Sequence, residues 1–293
     1  MAKQYRSAAA FRMALESRLQ ALARDRGVPL NTVRLKYVIE RLLARLFAGP
    51  ARGWLLKGGF AMELRYRPRA RATKDVDLSA GLGLFGEDRA AAAEELRGQL
   101  QEAAEADLDD FLQFRISTSR AELAGAPQGG SRYPCEALLA GKTYARFHID
   151  VGVGDAVTGE PERLQGEDLL AFAGVPPAQV LAISRPQQFA EKVHAYTFPW
   201  ADRTNTRTKD LVDLVLFIET GLDDPRLGEA IRATFSTRNT HPVPTSLLPP
   251  PESWHDDFAV MAAEARLSTT DLLHGFAILD RFWNERGLGT TGG

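Results

Sequence analysis

The sequence predicts an α+β fold: a small mixed sheet with helices packed around it, followed by an α-helical lobe. Three observations carry this expectation. In residues 73–79, Val76 and Leu78 alternate with Asp75, Asp77 and Ser79, the period-2 pattern of a half-buried strand. In residues 144–153, Phe147, Ile149, Val151 and Val153 alternate with Arg146, His148, Asp150 and Gly152. From Pro186 onward, apolar residues recur at helical spacing.

The elements follow in chain order. Phe11, Leu15, Leu19 and Leu22 predict a helix over about 8–25, stopped by Gly27 and Pro29. Asn31 is placed to cap a second helix with the stripe Val38, Leu42, Leu43, Leu46 and Phe47, ended by Gly49-Pro50. Both stripes read as packing surfaces. Trp54-Leu55-Leu56 is a short buried strand leading into Lys57-Gly58-Gly59, and a short helix starts at the glycines. Arg65, Arg67, Arg69 and Arg71 form either a solvated loop or a grip on phosphates.

Residues 89–106 predict a surface helix. Strands are expected near 111–117 and 136–140, separated by a Gly/Pro/Ser-rich loop at 124–134. Residues 169–172 read as helical, and Pro176-Pro177 as a domain boundary, giving domains 1–176 and 177–293. Helices are expected from Phe189 through Ala195, over 209–220, and near 226–235, 253–266 and 269–286. The segment 241–252, with five prolines, can only be an extended connector.

Composition narrows the classes. At 293 residues the chain suffices for one large domain or two moderate ones. A net charge of −2 argues against a wholesale polyanion binder and leaves room for a local basic patch. Cys135 has no second cysteine to pair with, which fits a reducing compartment, and a cytoplasmic location is expected. Lys3, Arg6, Arg12 and Arg18 have no apolar core between them, so no signal peptide is expected. No apolar run approaches the roughly 20 residues that span a bilayer, and the histidines lack zinc-site spacing.

Chemistry concentrates in a few positions. Asp75 and Asp77 would lie side by side on the polar face of their strand, where mutual repulsion calls for a cation such as Mg²⁺. Gly58 and Gly59, without Cβ atoms, let backbone approach a phosphate, with Lys57 beside them. Asp150 is either an edge-strand charge facing water or a third ligand or base. Asp210 and Asp213 share one helix face at i,i+3; they form a surface ion-pair ladder, or Asp213 holds Arg203 or Arg207 as support, or Asp210 belongs to the site as a lysine-orienting group or base. Phe189 and Val193 supply the buried side of their helix while Lys192 points elsewhere, and His194 reads as a helix- or domain-interface histidine.

Taken in order, Lys57-Gly58-Gly59 with Asp75 and Asp77, then Ile149-Asp150-Val151, then Glu191-Lys192-Val193-His194-Ala195, then Arg207 through Leu214, resemble the AbiEii/AbiGii toxin family over about residues 35–220. These are nucleotidyltransferase-like toxins of bacterial toxin–antitoxin (type IV-like) and phage-abortive systems, and include the mycobacterial MenT toxins. The resemblance implies a polymerase-β-like nucleotidyltransferase core, with the nucleotide in the cleft before the helical lobe. It implies transfer from a nucleoside triphosphate, with Mg²⁺ or Mn²⁺, to the 3′ end of tRNA, blocking translation, and a cognate antitoxin protein as partner. Carried over by motif, Asp75, Asp77 and Asp150 are metal ligands and catalytic, Lys192 and Asp210 are catalytic, and Lys57, Gly58, Gly59 and Lys192 bind nucleotide. Phe60 departs from the family's common hydroxyl position and shifts phosphate contact onto Lys57 and backbone N–H groups. The alternatives are a kinase-like phosphotransferase and a non-catalytic nucleotide- or RNA-binding module.

Overall fold

The computed structural model describes residues 5–49, 52–71, 73–81, 89–119, 121–123, 126–200 and 205–289. Lys3, Arg203 and residues 124–125 of the expected loop lie outside these. The chain packs as two compact units, one of residues 1–64, 72–154 and 163–182, the other of residues 65–71, 155–162 and 183–293.

The first unit contains a mixed sheet. Its strands are β1 (Trp54–Lys57), β2 (Val76–Ala80), β3 (Leu112–Ile116), β4 (Ala121–Glu122), β5 (Gly130–Leu139), β6 (Lys142–Val153), β7 (Glu162–Gln165) and β8 (Gln179–Ala182), in the spatial order β3-β5-β6-β2-β1-β8-β7 with β4 on β5. β2 runs antiparallel to β1 and parallel to β6, and β6 is antiparallel to β5. The alternation read from the sequence holds: Val76, Leu78, Phe147, Ile149, Val151 and Val153 are all buried.

Helices α1 (Ala8–Arg26) and α2 (Leu30–Leu46) cover the sheet with Phe11, Leu15, Leu19, Leu42, Leu43 and Leu46. Pro29, not Asn31, occupies the N-cap of α2, since proline has no N–H to satisfy and its fixed φ is tolerated where a helix begins. α2 also does more than present an apolar stripe. Its Arg41 and Arg45 converge on buried Asp110, with N–O distances from 2.5 to 2.9 Å, so an ion cluster lies inside the core.

Helix α3 (Gly58–Tyr66) starts at the glycines, and α4 (Arg89–Ala104) buries Ala92, Leu96 and Leu100 along one face. β5 is the clearest correction. It begins at Gly130, inside the expected loop, because Ser131, Tyr133, Cys135 and Ala137 alternate into the core despite the flanking Gly and Pro. Residues 171–173 form a 3₁₀ turn where a helix was expected.

The second unit is mostly helical: α5 (Arg185–Thr197), α6 (Thr208–Glu219), α7 (Leu227–Arg238), α8 (His255–Glu264) and α9 (Leu272–Glu285). α6 is apolar over most of its surface and buries Leu211, Val212, Leu214, Val215, Leu216 and Phe217. Phe189 packs between Phe217 and Phe282 at centroid distances of 5.9 and 5.7 Å. The proline-rich stretch before residue 252 carries no helix or strand, as expected. Among the described residues no helix is long and apolar enough to cross a membrane.

Candidate functional site

In the first unit a row of charges crosses four adjacent strands at one level. Lys57 of β1 stands opposite Asp77 of β2, Asp77 beside Asp150 of β6, and Asp150 opposite Arg132 of β5. Residues paired across strands share a face, so the four side chains project from one side of the sheet in the order cation, carboxylate, carboxylate, cation. Asp75 comes just before β2 and lies 3.5 Å from His148 Nδ1.

Gly58 explains how Asp77 is held. Its φ is +63°, and a Cβ there would overlap the Asp77 carboxylate. The carboxylate therefore occupies the space a side chain would fill, beside the N-terminus of α3, where helix N–H groups favour an anion. Gly59 and Phe60 are buried behind it, and Phe60 is core, with no polar role.

Asp150 is not a bare carboxylate. Arg132 donates from Nε to Oδ1 at 2.7 Å and from Nη2 to Oδ2 at 2.5 Å. This pairing holds the guanidinium above its ordinary pKa, with Asp75 and Asp77 adding to it. Among the described residues no group of three His, Cys, Asp or Glu side chains is arranged to hold a metal ion. Asp75 and Asp77 are two carboxylates, hard oxygen donors, on one face. That set fits Mg²⁺, which is commonly held by one or two carboxylates together with water and substrate phosphates.

The second unit holds a separate ion cluster. Lys192 does not point away from the core, as its helical position suggested, but is buried, with Nζ 2.6 Å from Asp213 and 3.2 Å from Asp210. Asp213 binds Lys192 and Arg71; of the two arginines expected on it, Arg203 lies outside the described residues and Arg207 pairs with Asp210. Arg207 lies 3.7 Å from Asp210, whose Oδ2 accepts no hydrogen bond among the described residues. Burial pushes the Lys192 ammonium down, but Asp213 and Asp210 outweigh it and hold the pKa above its ordinary value. For Asp213 burial pushes up, and Lys192 and Arg71 bring the net shift below the usual carboxylate range.

The arginine run is neither a solvated loop nor a free grip on phosphate. Arg65 binds Glu162, Gln188 and the Ile183 carbonyl, Arg69 binds Glu219, and Arg71 binds Asp213. His194 is buried, bonded to Thr240 at 2.8 Å, and burial lowers its pKa to about 3. Cys135 is buried on β5, and burial raises its thiol.

Sequence reasoning missed Arg132 because it sat in a segment assigned to a loop. The signal that could have found it is the alternation Ser131, Tyr133, Cys135, Ala137, which places Arg132 on the opposite, polar face. Arg71 was absorbed into a charge run, and nothing local distinguishes it.

Comparisons with known proteins bear on the family and the fold. The family model described as nucleotidyl transferase AbiEii toxin, type IV TA system, matches residues 41–281. The fold is similar to that of MenT4, a nucleotidyltransferase toxin from Mycobacterium tuberculosis, at 15% identity and a TM-score of 0.55, covering 93% of this chain and 94% of that one. A crystal structure described as a nucleotidyltransferase from H. pylori is similar at 13% identity and a TM-score of 0.42, covering 87% of this chain and 96% of that one. No curated protein matches the chain.

Proposed function

The chain belongs to the AbiEii nucleotidyl transferase toxin family, and from that premise we propose a Mg²⁺-dependent transfer of nucleotide from a nucleoside triphosphate to the 3′ end of an RNA, tRNA foremost, which blocks translation. The tRNA target rests on resemblance to MenT-type toxins. The type IV toxin–antitoxin description supports a cognate antitoxin protein as a further partner.

The observation that carries this reading is the row Lys57, Asp77, Asp150, Arg132, with Asp75 just below it. Pure nucleotide binding gains nothing from crowding carboxylates, whereas transfer of a polyanion needs a cation held beside Asp75 and Asp77. Asp75 and Asp77 would hold the divalent ion, which when bound neutralises charge on the entering and leaving oxygens. Lys57 and the N–H groups at Gly58 and Gly59 would receive phosphate oxygens.

In the reaction, the RNA 3′-oxygen bonds to the α-phosphorus as the bond to the bridging oxygen breaks, and pyrophosphate leaves. The hydroxyl proton must pass to a base. Two carboxylates are candidates by motif, Asp150 in the first unit and Asp210 in the second. By the same motif reasoning Lys192 is proposed to supply positive charge, of the kind that stabilises transferring phosphates better than water does.

The test is incubation of the full chain with each α-labelled triphosphate and total tRNA. Label should enter RNA, disappear in EDTA and return with Mg²⁺ or Mn²⁺, and Asp75→Ala or Asp77→Ala should abolish it while the protein stays folded. Label reaching protein from the γ-position instead would replace this reading with a phosphotransferase.

A further inference from the structure

The charge row holds two cations, and motif reasoning accounts for one. Lys57 closes it at β1; Arg132 closes it at β5. We propose that Arg132 is a second phosphate-binding residue for the triphosphate, and that Asp150 is the residue that positions it, not a third metal ligand. The inference rests on the transfer reading above and adds to it the group that contacts the polyphosphate from the far end of the row.

The argument is one of valence and exposure. A guanidinium has five N–H donors in a rigid plane. Asp150 takes one from Nε and one from Nη2, in the bidentate arrangement that fixes the plane of the fork. Three donors remain. Among the described residues they make no other hydrogen bond, and the Arg132 side chain is 42% exposed. Asp150 is the less exposed partner, at 12%. An arginine tethered by its inner edge with its outer edge open is oriented to receive an anion.

Asp150, conversely, is poorly disposed to bind a metal. Each of its oxygens accepts a charge-assisted hydrogen bond, and a cation on the remaining lone pairs would sit against the positive charge of the guanidinium. Asp75 and Asp77 supply the hard oxygens instead, since two carboxylates suffice for Mg²⁺ when phosphates and water complete the shell. The row then divides by chemistry, with carboxylates for the cation in the middle and Lys57 and Arg132 for phosphate oxygens at either end.

The experiment uses the full chain and three readouts: Mn²⁺ binding in the absence of nucleotide, binding of a non-hydrolysable triphosphate analogue with Mn²⁺, and the kcat and KM of transfer. Arg132→Ala should raise KM and analogue Kd about tenfold or more, with kcat changed less, on the scale of one charge-assisted contact, and Arg132→Lys should recover part of it. Asp150→Ala should weaken analogue binding in the same sense, and the double variant should be no worse than Arg132→Ala alone, because both changes remove one device. Mn²⁺ affinity should fall in Asp77→Ala and stay within about threefold of wild type in Asp150→Ala.

A loss of Mn²⁺ affinity in Asp150→Ala equal to that in Asp77→Ala would overturn the proposal and restore Asp150 as a ligand. An unchanged KM in Arg132→Ala, with Mn²⁺ bound more tightly, would also overturn it and leave Arg132 a mere counter-ion. Wild-type protein that binds Mn²⁺ but no triphosphate analogue would refute the transfer reading itself, and the phosphate role of Arg132 with it.

Discussion

Gly58→Ala tests the geometry at the centre of the site. Two costs follow from the structure. The backbone at residue 58 has φ +63°, and placing an L side chain in that left-handed region costs about 1–2 kcal/mol. The new Cβ would also stand 2.5 Å from Asp77 Cγ and 2.8 Å from Asp77 Cβ, the latter fixed to the β2 backbone and unable to swing aside. Overpacking of that kind costs about 1–3 kcal/mol. The expected destabilisation is therefore roughly 2–5 kcal/mol, read as a lower urea midpoint at unchanged slope.

Activity should fall further than stability explains. Moving the Asp77 carboxylate by about 1 Å is expected to cost on the order of a hundredfold in rate under conditions where the variant is still folded. Gly98→Ala is the control. It lies within α4, and a Cβ there meets nothing within 4 Å, so it should gain about 0.5–1 kcal/mol and keep its activity. A Gly58→Ala protein with wild-type midpoint and single-turnover rate would show that the Asp77 carboxylate does not rest against residue 58.

Other perturbations have equally definite outcomes. Lys192→Ala leaves Asp210 and Asp213 buried without their ammonium, so we expect a loss of about 3–5 kcal/mol in chemical denaturation. Transfer should drop at least about a hundredfold under conditions where the variant is folded, with only partial rescue by arginine; an alanine form of normal stability would remove Lys192 from the ion cluster. Buried, neutral His194 has a pKa lowered to about 3. Below the unfolded value of about 6.5 the unfolded chain takes up a proton that the native state refuses, so this contribution is complete above that pH and is lost as pH falls toward 3. Wild-type stability should thus decline faster than that of His194→Gln between about pH 6.5 and 5, with a difference approaching 1.4 kcal/mol per pH unit, and parallel curves from urea titrations would refute it. Asp213→Asn should destabilise more than Asp210→Asn, since Asp213 binds both Lys192 and Arg71 whereas Asp210 has one oxygen without a hydrogen bond; the reverse order of midpoints would overturn that division.

Local pattern determined a good deal about this protein. Period-2 alternation at Val76/Leu78 and at Phe147 through Val153 was sufficient to place Asp77 and Asp150 on polar faces, because successive residues of a strand point to opposite sides whatever the strand pairs with. Helical stripes in α1, α6 and α9 were legible for the same kind of reason, as was the helix starting at Gly58. The four motifs in order were enough to suggest the family, whose model matches residues 41–281.

Tertiary structure decided which charges meet. Pairing Asp77 with Asp150, and Asp150 with Arg132, depends on strand order and register, which bring together residues far apart in the chain. No local spacing encodes that. The same holds for Lys192, whose helix position left open solvent or core until Asp210, Asp213 and Arg71 supplied the charge balance that permits its burial. Sequence periodicity reports which face a side chain takes, because that is set within a few bonds. What stands opposite that face is set by loops and sheet topology, and in a site built from charge that opposite partner determines whether a carboxylate can bind a cation or is already engaged.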